Sequence, residues 1–296
     1  MPPRSSTKSA LVCASILALA MAVQAVAYDA STRPPQRVVF PWMGLERTQE
    51  NIPQDLATLQ AHKDVIPWVS FERFNLGPNG TFVINELTQV GPTLIAEGFG
   101  TFPMISSFPD TNPNLEYTRE VCANPDPFIA DLVFNLLKFN YTGVNVDIEP
   151  AGGIGTYQDA VAYAGFLDKL SRALHQHGLT VTVDIASWTP VWNFTLLAET
   201  SVDLFVTMDT YTYNQTAWTH LFQKALDAFG PHRLGAGIMT VNADNNQPLS
   251  PADIKFRFDA IVAANVNVIG IWCMPIPDQF WPFIDAYMAG TAMPEL

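Results

Sequence analysis

The chain is short of the residues that would tie it to metals, disulfides or polyanions. It has three cysteines and five histidines in 296 residues. No His/Cys/Asp grouping has metal-ligand spacing, so neither a metal nor a cofactor is expected. Lysine and arginine number 15 against 28 acids, a formal net charge of −13, and the basic residues form no cluster. Nucleic acids and anionic membranes are bound by clustered Lys and Arg, so neither is an expected partner. A neutral or cationic ligand such as a glycan remains compatible. No Gly-rich phosphate turn follows the first predicted strand, and there is no internal repeat or low-complexity linker.

What is present begins at the N-terminus. Arg4 and Lys8 precede the apolar run Ala10 to Val23, and Ala25-Val26-Ala27 offers small residues where a signal peptidase reads. Residues 1–27 therefore read as a secretory signal peptide with cleavage before Tyr28. A membrane anchor needs roughly 20 unbroken apolar residues, and Ser15 and Gln24 interrupt this run. No stable membrane insertion is expected after cleavage, and the mature chain is expected to be a secreted or secretory-lumen monomer. Losing Arg4 and Lys8 and no acid moves the charge from −13 to −15. Four Asn-x-Ser/Thr sequons, at Asn79, Asn140, Asn193 and Asn214, point to a glycoprotein. Asn140 is the one expected to be spared, since it leads straight into a buried strand.

The mature chain, 28–296, alternates short apolar β-rich runs with amphipathic helical stretches. Strands are expected at 37–43, 65–71, 102–107, 142–149, 179–185, 203–210, 233–239 and 266–273. Helical stretches lie between them. One is Tyr157 to His177, with Val161, Ala164, Phe166, Leu167, Leu170 and Leu174 on one side; another opens at Ser250-Pro251 with a capping serine and a proline in the first turn. Near-continuous apolar strands suit a parallel sheet buried on both faces. Eight alternations predict an α/β fold, a single (β/α)8 barrel, in preference to a doubly wound open sheet. The loop 108–117 reads as a lid or rim.

The fourth predicted strand, Thr142 to Glu149, carries chemistry. Residues 143, 145, 147 and 149 alternate, so Asn145, Asp147 and Glu149 point the same way, and in a barrel that way is inward. Barrel chemistry gathers at the C-terminal mouth, where Glu149 falls. A structural role, internal salt bridges, is disfavoured because no Lys or Arg interrupts the middles of the other predicted strands. Cys122 and Cys273 remain after Cys13 leaves with the signal. Their spacing leaves a bridge and two buried thiols open; both lie on the mouth side, but across a wide barrel, and no disulfide is expected.

The stretch Thr142-Gly143-Val144-Asn145-Val146-Asp147-Ile148-Glu149 resembles the strand-four signature of glycoside hydrolase family 18, the chitinases and their relatives, Asp-Gly-x-Asp-x-Asp-x-Glu. Gly143, Asp147 and Glu149 match; Thr142 and Asn145 stand where the family has aspartates. Val268 to Trp272 is similar to the family's eighth strand, which ends in a tryptophan under the sugar. The family's sixth-strand Met-x-Tyr-Asp is met here by Met208-Asp209-Thr210-Tyr211, which leaves Thr210 or Tyr211 at the tyrosine position. The third-strand Ser-x-Gly-Gly is replaced by Ser106-Ser107-Phe108-Pro109.

The resemblance implies a secreted hydrolase of N-acetylglucosamine-containing oligo- or polysaccharides working by substrate-assisted retention. Glu149 would be the general acid, Asp147 would hold the acetamide N–H, Tyr211 would steady the acetamide oxygen, and Trp272, with Met208 and Asp209, would bind the sugar. In the family the acid at the position of Asn145 shares a proton with the next aspartate. Asparagine can hydrogen-bond there but cannot take up a proton, so Asn145→Asp is expected to restore that site. The alternative is a catalytically weak or inactive chitinase-like carbohydrate-binding protein. Family lectins usually lose the terminal glutamate, and this chain keeps it. Glu149-Pro150 is also similar to the Asn-Glu-Pro of retaining two-carboxylate barrel glycosidases. Residue 148 is isoleucine, however, and the seventh predicted strand holds no acid to act as nucleophile.

Overall fold

The structure, a computed structural model, describes residues 37–44, 50–85, 90–107, 114–150, 153–243 and 245–296. The expected signal peptide, residues 1–27, and residues 108–113 of the expected rim loop lie outside these. Eight strands form a closed parallel barrel: β1 (Val38–Met43), β2 (Trp68–Gly77), β4 (Gly100–Ser106), β5 (Gly143–Asp147), β6 (Thr180–Ile185), β7 (Leu204–Thr207), β8 (Leu234–Met239) and β9 (Val268–Trp272). They pair in chain order, and β1 closes the ring by pairing with both β2 and β9. Helices alternate with them on the outside: α1 (Ile52–Ala61), α2 (Val90–Ala96), α3 (Asn114–Ala123), α4 (Pro125–Phe139), α5 (Tyr157–His175), α6 (Phe194–Ala198), α7 (Gln215–Arg233), α8 (Pro251–Ala263) and α9 (Trp281–Ala289). This is a single (β/α)8 barrel. Among the described residues no helix is long and apolar enough to cross a membrane.

Each of the eight expected strands has a counterpart with bounds moved by a residue or two, β5 stopping at Asp147 so that Glu149 lies just past it, and two differ more in extent. β2 continues to Gly77 and turns back through Pro78-Asn79-Gly80 into β3 (Thr81–Ile84), an antiparallel hairpin strand on the barrel's outside. Asn79 and Gly80 both have positive φ, 58° and 64°, the backbone that tight hairpins favour. The longer β2 also brings in buried Arg73, a basic residue in the middle of an observed strand that lies beyond the expected strand 65–71. A register shift between Glu72 and Phe74 accompanies it, and its guanidinium lies 5.8 Å from the Phe139 ring, toward the helices. The expected strand 203–210 stops at Thr207, and Asp209–Tyr211 form a 3-10 turn.

Strand alternation sorts side chains into two cores. Val144, Val146, Ile148, Val181, Val183 and Ile185 pack outward against the helices. Phe40, Trp42, Phe102, Met104, Leu204, Val206 and Val268 fill the lumen. Such large rings fit because small residues face them: a β-carbon on Gly270 would sit 2.3 Å from the Trp42 ring, and one on Gly143 would sit 2.1 Å from the Thr180 carbonyl oxygen. Gly143 thus belongs to the motif for a packing reason, the close approach of β5 to β6.

The helix caps follow the sequence. Thr156 and Asp159 form a reciprocal capping box at the start of α5, and Ser250 Oγ accepts the Asp253 N–H at the start of α8, with Pro251 in the first turn. The buried face of α5 is Ala160, Tyr163, Ala164, Phe166, Leu167, Leu170 and Leu174, not Val161, which is 48% exposed. A 3.6-residue period running through 160, 164, 167 and 171 leaves 161 on the far side.

Candidate active site at the barrel mouth

On β5 the inward residues are Gly143, Asn145 and Asp147. Pairing sets Asn145 opposite Met104 on β4 and Thr182 on β6, and Asp147 opposite Ser106. The same β5–β6 register runs through Val146–Val183, so its next step puts Asp147 beside Asp184. Two neighbouring strands therefore each present a polar inner face that ends in an aspartate. Glu149 lies two residues past Asp147, and its backbone N–H donates to Ser107 Oγ at 2.9 Å, tying the chain to the end of β4 as it leaves the barrel.

Asn145 is fully buried beneath the acids. Its Oδ1 accepts from Trp42 Nε1 at 2.8 Å and Ser70 Oγ at 3.1 Å, and its Nδ2 donates to Thr182 Oγ1 at 3.0 Å. It also hydrogen-bonds the Asp184 carboxylate. An indole N–H only donates, so the oxygen of the amide must face Trp42 and the nitrogen must face β6.

Above this layer opens a cavity of about 210 Å³, lined by Trp42, Asp147, Glu149, Asp184, Trp188, Met208, Tyr211, Met239 and Trp272. Trp42 and Trp272 lie with ring centroids 6.3 Å apart. Trp42 is buried, Trp272 half-buried, and Trp188 is 41% exposed at the cavity edge. The Trp272 carbonyl accepts the Thr240 N–H at 2.7 Å, and the Trp272–Cys273 peptide is cis.

Of the sequence-predicted residues, the structure brings Asp147, Glu149, Met208, Tyr211 and Trp272 onto one cavity wall. Asn145 sits below that wall. Asp209 is turned from it, its Oδ1 accepting the Ser187 N–H at 2.9 Å. The 3-10 turn decides the residue left open on the sixth barrel strand. Thr210 Oγ1 lies 2.8 Å from the Thr207 carbonyl and 2.7 Å from that of Gly237, whereas the Tyr211 ring reaches the cavity. Cys122 and Cys273 are not joined in a disulfide, and burial pushes the Cys122 thiol up to about 12.

Burial dominates the electrostatics. It pushes Asp147 well above the ordinary carboxylate range, and the like charges of Glu149, Asp184 and Glu72 add to that. Asp184 is raised by burial and by Glu149, against the pull of its bond with Asn145. Glu149 is raised by burial, partly offset by its hydrogen bond with Asp147. An unpaired carboxylate in such a place costs several kcal/mol, on the order of a whole domain's stability. All three acids are pushed toward holding their protons to higher pH than ordinary carboxyls. The site therefore sets acids of raised proton affinity side by side, over an aromatic surface suited to the apolar face of a sugar.

Sequence reasoning passed over Asp184. The signal was available: Thr180-Thr182-Asp184 repeats, one strand on, the inward polar spacing of Gly143-Asn145-Asp147. Trp188 and Met239 also line the cavity and carry no motif that singles them out.

A parallel barrel with buried acids at the C-terminal end of its strands, above a tryptophan surface, has the layout of a barrel enzyme site. No protein-family model matches the chain, and no curated protein is similar to it in sequence. Solved structures do share the fold. A chitinase from Chromobacterium violaceum ATCC 12472 superposes with a TM-score of 0.71 at 13% identity, covering 86% of this chain and 99% of that one. The Bacillus megaterium QM B1551 spore cortex-lytic enzyme SleL gives 0.71 at 13%, covering 86% and 75%. The Ostrinia furnacalis Group IV chitinase, solved in complex with allosamidin, gives 0.68 at 12%, covering 86% and 100%. At these identities the likeness is one of fold: the chain has a chitinase-like barrel.

Proposed function

We propose that this chain is a glycoside hydrolase of the family 18 type, acting on N-acetylglucosamine-containing glycans by substrate-assisted retention. The observation that carries the reading is the shared wall: Asp147 and Glu149, two residues apart on one strand end, face the same cavity as Tyr211, Met208 and Trp272. In this reading Glu149 protonates the glycosidic oxygen, and its raised affinity for a proton suits that task near neutral pH. The substrate's acetamide oxygen attacks the anomeric carbon. Asp147 accepts the acetamide N–H and stabilises the resulting positive charge, the Tyr211 hydroxyl contacts the acetamide oxygen, and Trp272 underlies the sugar ring. Fold-sharing structures include chitinases, one with a penta-N-acetylchitooctaose ligand and one with allosamidin, which agrees with this substrate class. The N-terminal leader and the exposed sequons Asn79, Asn140 and Asn214 fit a secreted, glycosylated enzyme.

One observation favours the carbohydrate-binding alternative: Asn145, an amide, is locked by hydrogen bonds where the family has an acid. Turnover separates the two. The purified protein is expected to release fluorophore from a fluorogenic chitobioside, and Glu149→Gln is expected to abolish release while still binding chitin beads. Wild type that binds chitin but releases no fluorophore would leave the lectin.

A further inference from the structure

Asn145 leaves the site without an acid directly beneath Asp147, and an amide cannot accept a proton. The barrel supplies an acid one strand away. Asp184 is 2% exposed, lies beside Asp147 by the β5–β6 register, and lines the same cavity. Asp184 Oδ1 and Asp147 Oδ1 are both buried atoms with no hydrogen-bond partner. The titratable groups acting on this pair are Glu149 from the end of β5, Glu72 from β2, Tyr211 from the turn after β7 and Tyr163 from α5. Among the described residues no Lys, Arg or His acts on either aspartate. Asn145 completes the arrangement, because its oxygen is committed to Trp42 and Ser70 and its N–H groups are turned toward β6.

We propose that Asp184 is the proton partner of Asp147: one proton is held between the two carboxyls across neighbouring strands, and the Asn145 amide orients Asp184 to hold it. Two carboxyls that face one water-poor cavity from neighbouring strands are disfavoured from both ionising, and one shared proton relieves both. The proposal rests on the reading of Glu149 as acid and Asp147 as acetamide partner. Asp147 also hydrogen-bonds Glu149, so it stands between two acids and can lean toward either. When substrate enters, Asp147 accepts the acetamide N–H and the shared proton stays on Asp184, so Asp147 meets the substrate as an anion. The acetamide oxygen's electron pair forms the new bond to the anomeric carbon. The glycosidic C–O bond breaks, its pair goes to the leaving oxygen, and that oxygen takes the proton of Glu149. Water then attacks the anomeric carbon, gives a proton to Glu149 and displaces the acetamide oxygen. The pair returns to sharing, and one water has been consumed.

Asp184→Asn keeps the size of the side chain and removes the proton site. Carbon-13 NMR of the aspartate carboxyls of the full chain, titrated from about pH 4 to about pH 9, reads the sharing without turnover. Wild-type Asp147 and Asp184 are expected to titrate as a coupled pair in two steps, and in Asp184→Asn the Asp147 step is expected to move to lower pH. An Asp147 titration untouched by Asp184→Asn yet shifted by Glu149→Gln overturns the proposal, since the proton is then shared with Glu149 alone. On a chromogenic N-acetylglucosamine oligomer, Asp184→Asn is expected to lose about a hundredfold in kcat, with KM changed less than about threefold. The double variant Asn145→Asp/Asp184→Asn returns the acid to β5 and is expected to regain about tenfold or more over Asp184→Asn. A double variant no better than Asp184→Asn also overturns the proposal. Wild type inert on every such oligomer refutes the function reading and leaves the titration to decide the sharing. An active wild type with Asp184→Asn at full rate refutes the sharing alone.

Discussion

Replacing Gly270 by alanine tests whether the lumen packing holds the acidic layer in place. The added methyl would sit 2.3 and 2.5 Å from two carbons of the Trp42 ring and 2.8 Å from Val206 Cγ1. Trp42 cannot move aside cheaply. It is 1% exposed, its ring centroid lies 5.4 Å from that of Phe40 and 6.3 Å from that of Trp272, and its Nε1 donates to Asn145 Oδ1 at 2.8 Å. Overpacking a tight core costs about 1–3 kcal/mol. Pulling the indole from Asn145 strands a buried donor, for about 1–3 kcal/mol more. Together this predicts a loss of about 2–6 kcal/mol, or roughly 4–12 °C in Tm for a domain of this size. Differential scanning calorimetry at neutral pH reads it, and tryptophan fluorescence reports the displaced indole. A Tm within about 1 °C of wild type, with unchanged fluorescence, would refute the packing argument, since that corresponds to roughly 0.5 kcal/mol.

Further outcomes concern the acids and the rim. Burial raises the proton affinity of Asp147 and Asp184 in the folded state, so the stability they contribute is present below the unfolded aspartate value, about 3.9, and is lost as pH rises toward their folded values. Asp147→Asn is therefore expected to flatten the fall of stability from acid to neutral pH and to raise stability at pH 7 by roughly 1 kcal/mol; urea unfolding at several pH values checks it, and an unchanged slope counts against buried protonated acids. Trp188 is 41% exposed on the cavity wall. Trp188→Ala is expected to raise KM for a chitooligosaccharide about two- to tenfold, the worth of one aromatic stacking contact, with little change in Tm; an unchanged KM removes Trp188 from the binding surface.

Asp184 also changes what Asn145→Asp alone should do. Read against the resemblance, that substitution restores a missing acid. With Asp184 alongside, it adds another carboxyl to a dry cluster and removes the amide N–H that Asp184 uses, so by itself it is expected to lower activity, not raise it.

The linear chain was enough to show the barrel. Eight apolar runs, buried on both faces, separated by helical periods and caps such as Ser250-Pro251, leave few ways to hide so much branched apolar surface other than a closed parallel sheet. The inward set Asn145, Asp147 and Glu149 was equally legible, because side-chain direction along a strand follows from the two-residue period alone. What lies between strands was not legible. The pairing of Asp147 with Asp184 depends on the stagger of β5 against β6, which is set by packing around Gly143 and Thr180 and not by either strand's own pattern. The Pro78-Asn79-Gly80 hairpin had its turn residues in view, but its strand packs on the barrel's outside, where no repeat announces it. Tyr211 reached the cavity in place of Thr210 because the chain tightens into a 3-10 turn and Thr210 Oγ1 is drawn to the carbonyls of Thr207 and Gly237. Local sequence determined which residues face inward. Only the closed barrel decided which of them meet, since that depends on contacts between segments tens of residues apart.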